Sequence, residues 1–393
     1  RVPPAPGNRA TFRKLTLPAR HFTPKLAWRF RNRIALKQRL FIAALILTPL
    51  LWLFGRALIS DEMFVFRDAA HYYYPYYKYV AQQWGEGRVP LWNPLEKLGQ
   101  PLLADATAAV LYPGKVIFAS PLGYDTNYKL YIVGHVLLAA ISAFVAARGF
   151  GRSNYAATVC AISYAFSGSV VFQYCNVIFL VGAAWLPLAI LAIDRMLRKH
   201  SWRWAMVLAV VLAMMVFGGD PQLAYHVGLI AVLYALVLWR AERIGRIVNP
   251  PVPRSDRQSD LRKLVHRFAL LTAAGGFAFV LSAAQILPSM EWTPKTSRAA
   301  TDVPRNVYEL ARGVGDETDL STSERLDFLL GNQENDHHID SYVFSVGPWH
   351  LAGCLWPNVF GNLFPENTRW IRALGAEGRM WTPTLYMGLL PLL

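Results

Sequence analysis

Between Ser153 and Ile193 the chain runs for 41 residues without one Asp, Glu, Lys or Arg. One helical crossing of a bilayer needs roughly 20 mainly apolar residues. The run therefore predicts two crossings, joined near Tyr174-Cys175-Asn176. Lipid offers no partner to an open backbone N–H or C=O, so crossings of this kind are helical. Further apolar blocks at Phe41–Ile59, Leu130–Ala147, Trp204–Gly218, Pro221–Trp239, Phe268–Met290 and Met380–Leu393 bring the expected number of spans to about eight. Arg56, near the end of the first block, can snorkel to the interface. Only 17% of the 393 residues are charged, against about 25% in a soluble domain, and the missing charge is missing from these blocks. The expected fold is an all-α polytopic membrane protein. The chain starts at Arg1 and ends inside an apolar run, as expected of a piece truncated at its C-terminus. The first apolar block follows 40 residues, too far in for a secretory leader.

The net charge of +15 raises the question of nucleic acid, but its distribution points to topology. Residues 1–40 hold 11 Lys/Arg and no acid, and the connections 148–152, 194–203 and 240–267 hold 2, 4 and 8. The alternate loops, 60–128 and 291–379, hold 5 and 8 Lys/Arg against 7 and 13 acids although they are far longer. Basic residues stay in the cytoplasm. Residues 1–40 accordingly read as a basic cytoplasmic arm that anchors against anionic lipid, not as a nucleic-acid binder. Residues 41–393 form the transmembrane domain, with 240–267 as a cytoplasmic linker and 60–128 and 291–379 as large extracytoplasmic loops. The localisation expected is the cell (cytoplasmic) membrane, multi-pass, N-terminus inside. Cys160, Cys175 and Cys354 show no metal-ligand spacing, and their spacing does not specify a disulfide.

The first long loop is rich in aromatics, Gly and Pro, unlike a disordered linker. It carries Arg67-Asp68, then His71-Tyr72-Tyr73-Tyr74-Pro75-Tyr76-Tyr77, and a helix is expected from Tyr76 to Trp84. Tyr and Trp favour headgroup depth, so this helix is expected to lie on the bilayer, with Asp68 and His71 near the level of lipid phosphates. Gly87-Arg88-Val89-Pro90-Leu91-Trp92-Asn93-Pro94, Gly99-Gln100-Pro101 and Tyr112-Pro113 follow.

These motifs, in this order, resemble the YfhO-type family of bacterial membrane proteins, within the GT-C superfamily of glycosyltransferases. Gly219-Asp220-Pro221-Gln222, Gln285-x-x-Pro288-x-x-Glu291 with Ser297-Arg298, and Tyr386-x-Gly388-Leu-Leu-Pro391 extend the resemblance over about residues 40–393. It implies a GT-C-like helical bundle. It also implies transfer of a sugar from a polyprenyl-phosphate donor to a glycan or lipid acceptor on the outer face of the membrane. GT-C enzymes carry an acidic residue in the first external loop, and the matching position is Asp68, with Asp61 and Glu62 nearby.

Glycosyl transfer needs a base for the acceptor hydroxyl, donors for the leaving phosphate and an apolar path for the prenyl chain. Asp68 fits the base; its bland alternative is a carboxylate paired with Arg67 or Lys78. His71 reads as an acceptor or phosphate ligand, or as a packed surface histidine. Tyr72, Tyr73, Trp92 and Tyr112 suit stacking on sugar rings, and equally interface packing. Asp220 is a carboxylate at membrane depth or the N-cap of the next span, with Gln222 beside it. Glu291 reads as a second carboxylate or an interface anchor, and Arg298, with Arg67, Lys115 and Arg305, as a phosphate partner. A divalent metal is compatible with this chemistry, but no ligand set emerges: His337-His338 with Asp336 and Asp340 is the one other dense cluster and reads as a solvated turn. No Walker-type Gly-rich loop or serine-hydrolase elbow is present. The competing class is a non-catalytic scaffold or accessory subunit, or a transporter. No internal repeat of the kind that marks many transporters is visible.

Overall fold

The computed structural model describes residues 24–96, 98–248, 257–296, 352–356, 359–361, 368 and 370. The expected final span, Arg298, Arg305, the His337-His338 cluster, the first 23 residues, most of the 291–379 loop and part of the 240–267 linker lie outside the described residues. Contacts divide the chain into two units, residues 1–45 and 46–393. Of the first, the described part is the beginning of helix α1 (Pro24–Ile59). All that follows concerns the second.

No strand is formed among the described residues; the one β feature is an isolated bridge between Asn93 and Gln100. Among the described residues, five helices are long and apolar enough to cross a membrane, and a bent pair makes a sixth candidate. In chain order the crossings are Leu36–Ile59 in α1, then α3 (Tyr124–Gly149), α6 (Val177–Lys199), Pro221–Glu242 in α8 (Pro221–Val248) and Leu261–Lys295, which begins in α9 (Arg257–Trp292). Helix α2 (Tyr74–Gly85) lies in the first long loop. The chain is a multi-pass, all-α membrane protein.

Two expected spans take altered forms. The third is broken: α4 (Asn154–Ala165) and α5 (Gly168–Val171), which continues as a 3-10 turn to Cys175, meet at 47°. Ser167 makes the break tolerable. Its hydroxyl lies 3.3 Å from the N–H of Val170, capping α5, and 2.8 Å from the carbonyl of Tyr164 at the end of α4. The fifth, α7 (Trp202–Phe217), is apolar but only 16 residues long. The connection expected near Tyr174 to Asn176 is where α6 begins.

Helices α6, α7, α8 and α9 share one core of Met196, Leu197, Leu208, Met215, Val227 and Leu270 with a scatter of alanines. Small residues let helices approach where lipid is as apolar as the side chains themselves. Alongside, α3 packs on α4 and α6. At the end of the bundle where α6 turns into α7, Arg267 is buried; its Nε donates to the Leu197 carbonyl at 3.2 Å and its Nη2 to Glu242 at 2.5 Å. At the opposite end, Gly182 of α6 faces the α7–α8 turn: a Cβ there would stand 2.6 Å from Asp220 Oδ2. All three cysteines are free thiols.

Candidate functional site

The first long loop leaves α1 at Ser60 and reaches Arg67, whose φ of 54° lies in the left-handed region. A non-glycine residue is held there only by its surroundings, and such strain clusters at functional positions. Asp68 follows, with ordinary helical angles, and opens a five-residue π-turn, Ala69–Tyr73, that runs into α2. Single π-turns cost backbone regularity and recur at functional sites. The Asp68 carboxylate is partly exposed and forms no hydrogen bond or ion pair among the described residues. Lys78, a possible partner in sequence, lies instead over the rings of Tyr74 and Tyr124 at 5.9 and 5.8 Å.

The aromatic run splits between protein and surface. Tyr73, Tyr76 and Tyr77 are buried, and His71 is exposed. Helix α2 therefore turns its aromatic side into the protein, where Tyr77 meets Phe118 and Tyr131, and not onto a bilayer surface. The reason is the neighbouring 3-10 helix Pro113–Ala119, which supplies a better partner for the rings than headgroups do. Burial, together with Asp68, Asp105, Cys175 and Asp220, pushes the Tyr73 phenol above its ordinary range. The charges of Asp68, Asp105 and Asp220 thus all act on the Tyr73 phenol. Among the described residues no group of three or more His, Cys, Asp or Glu is placed to hold a metal ion.

Tyr72 is the best-fixed of the predicted residues. Its hydroxyl donates to Asp105 Oδ2 at 2.7 Å and touches Thr107 Oγ1 at 2.5 Å. Its ring stacks on Tyr76 at 4.5 Å. Burial and the adjacent Asp105 charge raise the phenol well beyond its usual range, so it stays a neutral donor. Asp105 also caps the short 3-10 helix Ala106–Ala108, accepting from the Thr107 N–H at 2.9 Å and from its hydroxyl at 2.6 Å.

The segment that carries Asp105 is gripped from several sides. From α9, Gln285 Nε2 donates to the Leu103 carbonyl at 2.6 Å and Ser289 Oγ lies 2.7 Å from the Ala104 carbonyl. The buried Lys115 donates to the Ala108 carbonyl at 2.6 Å, with its Nζ 3.2 Å from the centre of the Tyr77 ring. Burial drives the Lys115 amine well below its ordinary pKa. Gly219, at φ 98°, approaches the Ala106 carbonyl so closely that a Cβ would stand 2.9 Å from it.

The other predicted residues take separate places. Tyr112 is buried, with its hydroxyl 2.8 Å from His135 Nε2 and receiving the Trp185 indole N–H at 3.1 Å; it ties the loop to α3 and α6. Asp220 is buried and accepts from the Leu223 N–H at 2.9 Å, which makes it the N-cap of α8, ahead of Pro221. Burial raises its carboxyl, and the cap bond and His226 oppose that rise. Gln222 is exposed. Glu291 is exposed and pairs with Lys295 at 3.4 Å, one turn along. Trp92 is 51% exposed, and its backbone carbonyl receives the Tyr79 hydroxyl at 3.2 Å. Sequence reasoning passed over Asp105, Thr107 and Ser289. The one local signal was Asp105 two residues before Thr107, a spacing that suits a side-chain cap.

A family model described as bacterial membrane protein YfhO matches residues 40–311, more than half of the chain. The chain belongs to the YfhO family. The match takes in α3 to α9, the whole of the first long loop, and Asp68, Asp105, Asp220, Glu291, Tyr72 and Tyr112. Comparison with curated proteins and with solved structures gives no match.

Proposed function

We propose that this YfhO-family chain is a membrane glycosyltransferase of the GT-C type. It takes a sugar from a polyprenyl-phosphate donor and adds it to a glycan or lipid acceptor on the outer face of the cytoplasmic membrane. The reading rests on the family match, on the multi-pass helical body and on the charge asymmetry of the sequence, which favours a cytoplasmic N-terminus and an external first loop. The single observation that carries it is Asp68: a partly exposed carboxylate on a strained turn, with its lone pairs unspent.

In this reading Asp68 accepts the proton of the acceptor hydroxyl. The hydroxyl oxygen attacks the anomeric carbon, and the bond from that carbon to the phosphate oxygen breaks. The phosphate leaves with the electron pair. A base of this kind acts within hydrogen-bond reach, about 2.6–3.2 Å, of the proton it takes. His71, exposed one turn on, suits the departing phosphate, with Arg298 as a further cation. Tyr72 and the exposed Trp92 suit the sugar rings, which aromatic faces bind through their C–H edges. Tyr112 and Asp220, both buried, would support this arrangement from within the fold, and the exposed Gln222 and Glu291 would be open to the acceptor or donor.

Asp68→Asn keeps the shape and removes the base. Sugar transfer in membranes is expected to fall by about 10²-fold or more, with normal expression. Transfer at the wild-type rate would remove Asp68 from the chemistry and favour a scaffold that kept the fold.

A further inference from the structure

Among the described residues the Asp68 side chain makes no bond, so its position is set by the turn that carries it. That turn is tied down at two points. Tyr128 of α3 donates to the Ala69 carbonyl at 3.1 Å, and the Tyr72 hydroxyl is held by Asp105 and Thr107 at 2.7 and 2.5 Å. Asp105 belongs to a segment whose carbonyls at Leu103 and Ala104 are engaged by Gln285 and Ser289, 182 and 185 residues away in sequence. Gln285 is only 1% exposed, and its Oε1 finds no partner among the described residues. Leaving a buried acceptor unsatisfied is costly; a core residue kept only for packing would be apolar. The amide is explained by the one bond it does make to the loop.

We propose that Gln285 and Ser289 of α9 are positioning residues for Asp68, acting through Asp105 and Tyr72. The connection runs from α9 to the Leu103–Ala104 carbonyls, through the Asp105 carboxylate to the Tyr72 hydroxyl, and along the π-turn to Asp68. It rests on the transferase reading for the importance of Asp68, but the chain of contacts stands apart from it. The links between segments are hydrogen bonds to groups at least partly buried, the rest being backbone, and the Tyr72 link ends on a carboxylate, where such bonds are stronger than between neutral groups. An element that crosses the membrane thereby sets the position of a carboxylate in the loop.

The test is hydrogen exchange of the full chain in lipid nanodiscs, wild type against Gln285→Ala, Ser289→Ala, Asp105→Asn and Tyr72→Phe. Gln285→Ala is expected to raise exchange about tenfold both at 102–109 and at 69–74, where the Tyr74 N–H bonds the Ala69 carbonyl. Asp105→Asn and Tyr72→Phe are expected to loosen 69–74 and leave Leu103 and Ala104 as they were. Ser289→Ala, the milder change, repeats the Gln285→Ala pattern if that variant fails to fold. Loosening of 102–109 with full protection at 69–74 would overturn the proposal. In parallel, with polyprenyl-phosphate glucose as the probe, Gln285→Ala is expected to lower kcat about tenfold and leave KM within about twofold. Loss of transfer in Asp68→Asn with wild-type kcat in Gln285→Ala, Ser289→Ala and Tyr72→Phe would also overturn it. Full transfer by Asp68→Asn would sink the transferase reading instead, while the exchange pattern still decides the contacts.

Discussion

The first long loop and the helical body each have a buried core, but the two are held by different means. In the body, around Leu208, Met215 and Leu270, contacts are apolar and alanines bring the helices close. In the loop, tyrosine rings fill the space and several of their hydroxyls are tied to acceptors, Tyr72 to Asp105, Tyr76 to Gln100 at 2.8 Å and Tyr124 to the Tyr74 carbonyl at 2.7 Å, while that of Tyr77 is buried with no partner among the described residues. The body is specified by volume and the loop by direction. A packed apolar wall tolerates small shifts in register. A hydroxyl aimed at a carboxylate fixes one arrangement.

The contrast can be broken by mutation. Leu208→Ala in the body leaves a cavity at a 2% exposed site and is expected to cost about 2–5 kcal/mol, read from unfolding of the protein in detergent. Tyr112→Phe in the loop removes one oxygen and almost no volume. It leaves His135 and the Trp185 indole without their partner, at an expected cost of about 1–3 kcal/mol. A cost near zero would show that the loop, too, is held mainly by volume.

The third change uses pH. Lys115 is pushed well below the ordinary lysine pKa by burial, so the folded chain holds its amine neutral where the unfolded chain protonates it. Folding then releases a proton, and stability rises with pH up to the unfolded value of about 10.4, by about 1.4 kcal/mol per pH unit. Lys115→Met removes that slope: the variant gains most at neutral pH, and its advantage shrinks as pH approaches 10. Parallel pH profiles for the two proteins would mean that the ring of Tyr77 and the Ala108 carbonyl keep the amine charged.

What could be read from the sequence follows the same division. Crossings announce themselves because charge is absent for a full membrane thickness, and the blocks at Phe41, Leu130, Pro221 and Phe268 each lie within a long helix. The break in the third crossing was hidden inside the charge-free run, although Ser167-Gly168-Ser169 marks it. Asp68 stands out as a candidate from the resemblance and its place before an aromatic run, and of the two readings of Asp220 the cap is formed, at a residue that is buried as well. Asp105 could not be found this way. Its importance lies in Tyr72, 33 residues back, and its mount depends on α9, and pairings at that range leave no periodic trace.

The shortness of α7 reaches beyond the protein. Sixteen residues rise about 24 Å, while a typical hydrocarbon layer is about 30 Å thick. Val207 and Val210 on this helix face outward. Hydrophobic mismatch of this kind is relieved by thinning the surrounding lipid or by tilting. Acyl-chain length in the host membrane therefore becomes a variable for this chain, with shorter chains the better match along that flank.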